Sequence, residues 1–82
     1  MNNETVKFID KIKTIRKNKR LSQVELAKRC GVPQSTIGRI ENYSMNPSID
    51  LLISILNVLN IEIELKDKKS IIKGFKTAYL NL

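Results

Sequence analysis

Gln34, Ser35 and Arg39 are the side chains in this sequence best equipped to read another molecule through hydrogen bonds. An amide offers a donor and an acceptor side by side, the pattern that matches N6 and N7 of adenine. A guanidinium offers a fork that matches O6 and N7 of guanine, or a phosphate. A serine hydroxyl donates or accepts, so it positions more than it discriminates. In a helix opening at Pro33, Ile37, Ile40 and Glu41 point one way, while Ser35, Gly38, Arg39 and Asn42 point the other. Gln34 projects from the N-terminal tip of that helix. Arg39 is left with three roles: a guanine, a phosphate or a surface salt bridge. Gly38 has no reach; it admits a backbone or a thymine methyl, or it is simply tolerated.

A second set suits anions. Gln23 opens the preceding helix, where exposed N–H groups and the helix dipole favour a phosphate. Thr36, Asn42 and Lys28 join it as further phosphate candidates, Asn42 having the alternative of capping its own helix. Arg16 and Glu41 are a different kind of pair: Arg16 closes the first helix and Glu41 lies on the inward side of the third. A guanidinium suits a bidentate, partly buried carboxylate, so the two are expected to lock one helix to the other. Cys30 falls on an apolar stripe and reads as a small buried thiol rather than a redox switch.

The elements that position these groups are legible in the spacing of apolar residues. Phe8, Ile12 and Ile15 recur at helical intervals in a first helix expected from Glu4 to Asn18. Ser22, three residues before Glu25, makes an S-x-x-E capping box for a second helix running to about Arg29. Gly31 suits a turn backbone of positive φ, and Ala27 is small where the next helix must cross closely. Leu26, Cys30, Ile37 and Ile40 face inward across that turn. Two short helices held across a tight turn form a helix-turn-helix, whose second helix fits a DNA major groove. Ser48 caps a fourth helix carrying Leu51, Leu52, Ile55, Leu56 and Leu59 and ending near Asn60.

The pattern then changes period. Ile61, Ile63 and Leu65 alternate with Glu62, Glu64 and Lys66, which predicts a strand. No second strand is evident in the sequence, so pairing with a second copy across a two-fold axis is expected, with these three residues in the dimer seam. Asp67–Ser70 reads as a polar break, and Ile71, Phe75, Ala78 and Leu82 could form one face of a short helix or belong to a tail. Residues 1–60 are thus expected to form the DNA-binding domain, and 61–82 a segment for dimerisation or partner binding.

Composition narrows the function. The chain has 82 residues, a single Cys and no His. No intrachain disulfide is possible, and neither a metal site nor a cofactor site is indicated. Lacking the commonest general base, the chain is not expected to be an enzyme. Its net charge of +7 favours polyanions. The polar start MNNETVK is not a signal peptide and no apolar run spans a bilayer. A cytoplasmic location and no membrane partner are therefore expected.

The text IRKNKRLSQVELAKRCGVPQSTIGRIEN followed by NPSIDLLISILNVLNI resembles the phage-repressor/Cro-like (XRE) helix-turn-helix family. LSQ-x-ELA, the Gly31 turn and the IEN ending carry the likeness, which runs from Ile12 to Leu65. It implies an all-α, four- to five-helix repressor-like domain, here with one C-terminal β-strand paired across a dimer. It implies phosphate contacts at Gln23 and Asn42, groove contacts at Gln34, Ser35 and Arg39, and the ion pair of Arg16 with Glu41. Two departures stand out. The family commonly has Gly where this chain has Tyr43, and many members continue into a fifth helix where this chain writes IEIEL. That alternation is similar to DNA-binding antitoxins of the Hip and Hig types. The expected function is sequence-specific transcriptional regulation, by a homodimeric repressor that binds a pseudo-palindromic operator in double-stranded DNA through the major groove. The alternative is an antitoxin that also neutralises a partner toxin protein.

Overall fold

The structure, a computed structural model, describes residues 1–70 and 79–81. Its helices are α1 (Asn3–Asn18), α2 (Gln23–Cys30), α3 (Gln34–Glu41) and α4 (Ile49–Val58), followed by two short strands, β1 (Lys66–Ser70) and β2 (Tyr79–Asn81). Three helices open on a side-chain cap that satisfies a backbone N–H otherwise without a partner. Asn2 accepts from the N–H of Thr5 at 2.8 Å, Ser22 from that of Glu25 at 3.0 Å, and Ser48 from that of Leu51 at 3.1 Å. Only α3 starts without one; Pro33 occupies its cap position. The Glu25 carboxylate turns outward to Arg29, 3.2 Å away on the exposed face of α2.

All four described helices stop in the same way. Arg20, Gly31, Tyr43 and Asn60 each take a positive φ, between 58° and 74°. The N–H of each reaches back to Lys17, Lys28, Ile40 and Asn57 respectively, and the next residue's N–H reaches one carbonyl further, to Arg16, Ala27, Arg39 and Leu56. These eight bonds run from 2.8 to 3.2 Å and make four Schellman stops. In three of them the residue after the turn (Leu21, Val32, Ile61) is apolar and packs against the core. In the stop of α3 it is Ser44, which is exposed.

The core consists of Ile9, Ile12, Leu26, Ala27, Ile37, Ile40, Ile55, Leu56 and Leu59. Side chains such as Leu26 and Ile37, each 1% exposed, contribute about 1.5–3 kcal/mol apiece when fully buried. Against this core α2 packs on both α3 and α4, and α1 on α3. The Lys19 ammonium donates to the carbonyl of Leu59 at 2.5 Å, tying the end of α1 to the stop of α4.

The inward stripe of α1 is corrected by the structure. Ile9, Ile12 and Arg16 are buried, Ile15 is half-buried and Phe8 is exposed. Apolar spacing alone points to Phe8, but the face that carries the expected Arg16 partnership runs through Ile9, Ile12 and Arg16 at intervals of three and four. The strand is also displaced. Residues 61–65 carry no regular structure within the chain, and the ladder starts at Lys66, the last residue of the alternation, and continues through Asp67–Ser70, where the sequence suggests a polar break. Its partner lies within the chain: Lys66 pairs with Asn81 and Ser70 with Tyr79, antiparallel, with an irregularity between them. Ile61 is spent closing α4, and a backbone ladder needs no apolar alternation to form. Of the C-terminal helix or tail suggested by Ile71, Phe75, Ala78 and Leu82, residues 71–78 and 82 lie outside those described, while Tyr79–Asn81 is strand.

Candidate nucleic-acid interface

The recognition flank is built outward from one buried ion pair. Arg16 donates from Nε to Oε2 of Glu41 at 2.7 Å and from Nη2 to Oε1 at 2.9 Å, a bidentate contact. Its third nitrogen, Nη1, donates to the carbonyl of Leu21 at 2.5 Å. The two residues are only 6% and 4% exposed, yet among the described residues no buried side-chain polar atom lacks a partner. Burial by itself would raise the pKa of Glu41. Hydrogen bonds from Arg16 and Gln23 outweigh it, aided by the charges of Arg16 and Lys13, and hold the carboxyl below its ordinary value.

Two amides extend this pair to the surface. Gln23 donates from Nε2 to Oε1 of Glu41 at 2.9 Å, which turns its own Oε1 outward. That oxygen accepts from Nε2 of Gln34 at 2.7 Å. A continuous polar chain therefore runs from Arg16 through Glu41 and Gln23 to Gln34 at the exposed tip of α3. With one N–H committed to Gln23, the Gln34 amide keeps its oxygen and a second N–H for a ligand. Gly38 lies beneath this bridge: a Cβ there would stand 3.5 Å from both Gln23 Oε1 and Gln34 Nε2, an ordinary contact.

Ser35, Arg39 and Asn42 are exposed alongside Gln34, while Thr36 and Gly38 are half-buried. Gln23 is half-buried at the start of α2, and Lys28 is exposed on the same helix. Asn42 follows α3 and its side-chain oxygen accepts from the N–H of Ser44 at 3.1 Å and from its hydroxyl at 2.6 Å. The Asn42 NH2 group, with no bond among the described residues, is left facing outward. Cys30 is half-buried against the core, and burial pushes its thiol up from the ordinary value. Ile61 is half-buried, whereas Ile63 and Leu65 are 56% and 71% exposed.

The sequence reading missed two contacts. Gln23 is held by Glu41 as well as open to a ligand, and nothing in the spacing shows that. The Tyr43 hydroxyl donates to Oδ1 of Asp10 on α1. That bond, with burial and the charge of Asp10 adding to it, raises the pKa of the phenol. Its signal in the sequence is a tyrosine at a turn where glycine is the easy residue.

A helix-turn-helix family model matches residues 12–66, which span α1 to the start of β1. The chain belongs to this family, the phage-repressor or XRE type of helix-turn-helix transcriptional regulators. Among its relatives is an uncharacterised helix-turn-helix transcriptional regulator of Sinorhizobium fredii, 33% identical over 80% of this chain and 34% of its own length. The immunity repressor protein of Bacillus phage phi105 is 31% identical over 84% of this chain and 49% of its own. This chain therefore spans about a third to a half of the length of those two relatives. A third, from Archaeoglobus fulgidus, is 43% identical over 66% of this chain and 76% of its own.

The fold is also similar to that of the restriction-modification controller protein C.AhdI of Aeromonas hydrophila. There the TM-score is 0.69 and the identity 31%, over 74% of this chain and 92% of the other. A chain of a HipA–HipB–O2–O3 complex superposes with a TM-score of 0.72 and 29% identity, over 84% of this chain and 97% of the other. The family binds DNA, and no described helix of this chain is long and apolar enough to cross a membrane.

Proposed function

We propose that this chain is a sequence-specific DNA-binding repressor that acts as a homodimer on a pseudo-palindromic operator. The observation that carries the reading is the polar chain from the buried Arg16–Glu41 pair to the exposed Gln34. It spends two side chains and a buried charge on fixing one amide at the tip of α3, which is more than a solvated surface helix requires. In the docked complex α3 lies in the major groove. Gln34, Ser35 and Arg39 meet base edges, and Gly38 admits close approach of the groove wall. Gln23, Thr36, Asn42 and Lys28 meet phosphates and set the register. Residues 61–82 join two copies, with the exposed Ile63 and Leu65 in the seam and Ile61, half-buried against its own core, at the edge of it. Recognition helices then enter successive grooves about 34 Å apart, and repression follows from occupying a promoter.

The test is selection of preferred sites from random duplexes, followed by titration. The expected result is a two-fold symmetric site with half-sites roughly 10 base pairs apart. Equal affinity for selected and scrambled duplexes would overturn the reading.

A second reading is favoured by the likeness to a chain of the HipA–HipB–O2–O3 complex and by the exposed Ile63 and Leu65. In it the chain is an antitoxin that binds DNA and also a toxin protein through the segment after Lys66. A neighbouring reading frame encoding a kinase-like or ribonuclease-like toxin that co-purifies with this chain supports it. Co-expression that yields no complex counts against it.

A further inference from the structure

We propose that the hydrogen bond from Tyr43 to Asp10 is an outer brace on the recognition helix, holding the Asn42–Ser44 turn in position for a DNA phosphate. The proposal rests on the DNA-binding reading above and adds Tyr43 and Asp10 as positioning residues that touch no DNA themselves.

Among the described helices, the stop of α3 differs from its siblings. Leu21, Val32 and Ile61 each follow a positive-φ residue and clamp their turn by packing on the core. Ser44 holds the same place after α3 and has no apolar side chain to anchor. The stop also carries tyrosine at φ 68°, a backbone conformation that costs a non-glycine residue about 1–2 kcal/mol. Among the described residues the Ser44 hydroxyl bonds only within its own turn, to the Arg39 carbonyl and Asn42 Oδ1. Apolar packing resumes one residue later at Met45, so the direct tie of this strained stop to α1 is the bond from Tyr43 to Asp10.

The consequence falls on Asn42. It lies between two attachments to α1: Glu41 to Arg16 on one side and Tyr43 to Asp10 on the other. Between them, Ser44 takes up the Asn42 side-chain oxygen with its N–H and hydroxyl, so the amide can present only its NH2 group outward. Two N–H donors of fixed orientation, beside a helix whose flank is exposed, suit a phosphate oxygen. The inner attachment is buried; the outer one is exposed and can be cut without opening the core.

The experiment measures affinity for the selected operator as a function of salt for Tyr43→Phe, Asp10→Ala and Asp10→Asn, each also in an Asn42→Ala background. Electrostatics alone predicts that Asp10→Ala tightens binding, because it removes a negative charge. The brace predicts that Asp10→Ala and Tyr43→Phe each weaken binding about three- to tenfold, the worth of one hydrogen bond. The slope of log affinity against log salt should stay close to that of wild type for Tyr43→Phe, because the Asn42 amide is neutral and its phosphate contact releases no counterion. Asp10→Asn, which keeps an acceptor, should retain affinity. In the Asn42→Ala background Tyr43→Phe and Asp10→Ala should have no further effect.

Tighter binding by Asp10→Ala, unchanged binding by Tyr43→Phe, or losses that simply add to that of Asn42→Ala would overturn the brace while leaving the repressor reading intact. A wild-type chain that cannot tell operator from scrambled DNA overturns both.

Discussion

Glu41 grips the guanidinium of Arg16 with both of its oxygens, and the same carboxylate receives the amide of Gln23. One buried group therefore serves as both a structural lock and the base of the recognition surface. Removing either partner strands a charge, so Glu41→Ala and Arg16→Ala should each cost about 3–5 kcal/mol of stability. Replacing both with apolar residues of similar size, Arg16→Met with Glu41→Leu, should recover most of that loss in chemical denaturation. The double variant should nonetheless bind operator weakly, since Gln23 has lost the acceptor that orients it. Full operator affinity in the double variant would show that the lock and the recognition surface are independent.

The same carboxylate sets a pH dependence. Its folded pKa lies below the ordinary glutamate value of 4.5, held down by Arg16 and Gln23 against the upward pull of burial. A group depressed on folding stabilises the native state at every pH above its unfolded value and loses that contribution as pH falls through its folded value. Thermal melts should therefore show no dependence on Glu41 from neutrality down to about pH 5. Below the ordinary glutamate value the melting temperature should fall. Glu41→Gln should be less stable at neutrality and should show a shallower fall at low pH than wild type.

The sequence was legible where side chains themselves carry the signal. Gly31, the Ser22 and Ser48 caps and the apolar spacing of α2 to α4 each announce their role through residue type. The ends of α1 at Asn18 and of α4 near Asn60 were legible from the apolar spacing, but the positive φ of Arg20, Tyr43 and Asn60 was not, because residue type does not demand a glycine-like backbone there. The pair of Arg16 with Glu41 was legible from residue type, yet the inward face of α1 was placed on Phe8 rather than Ile9, because apolar spacing alone leaves out the helical face that Arg16 shares. The ladder of β1 with β2 was missed for a related reason: backbone hydrogen bonds hold it, and Lys66–Ser70 has no apolar alternation to betray a strand. Residue types nominated the members of the candidate interface. The order in which Glu41, Gln23 and Gln34 hold one another is a matter of geometry, and only the structure gives it.

Arg20 offers a test of the helix-stop argument without reference to DNA. It sits at φ 60° and is exposed, with its N–H already bonded to Lys17. Arg20→Gly removes a conformational cost of about 1–2 kcal/mol at the expense of about 0.5–1 kcal/mol of chain entropy. The variant should be more stable by up to about 1.5 kcal/mol, and each kcal/mol gained raises the melting temperature of a domain of this size by roughly 4–8 °C. Arg20→Val, β-branched at the same φ, should melt lower than wild type. Equal melting temperatures for all three would mean that the turn relaxes and carries no strain.

Gln23 and Gln34 should separate sequence reading from affinity. Gln34 keeps an acceptor and one N–H free, so Gln34→Ala should cost about 1–3 kcal/mol on operator DNA and erase the preference at a single base pair. Gln23→Ala should instead weaken binding to every duplex and leave the salt slope nearly unchanged, since a neutral amide on a phosphate releases no counterion. Because Gln23 also holds the Gln34 amide, its loss should blur the base preference at the Gln34 position as well. The two losses should therefore be less than additive on operator DNA and close to additive on scrambled DNA, where no base is being read. Strict additivity on both would mean that the bridge between the amides does not survive in the complex, and that each side chain finds its own partner on the DNA.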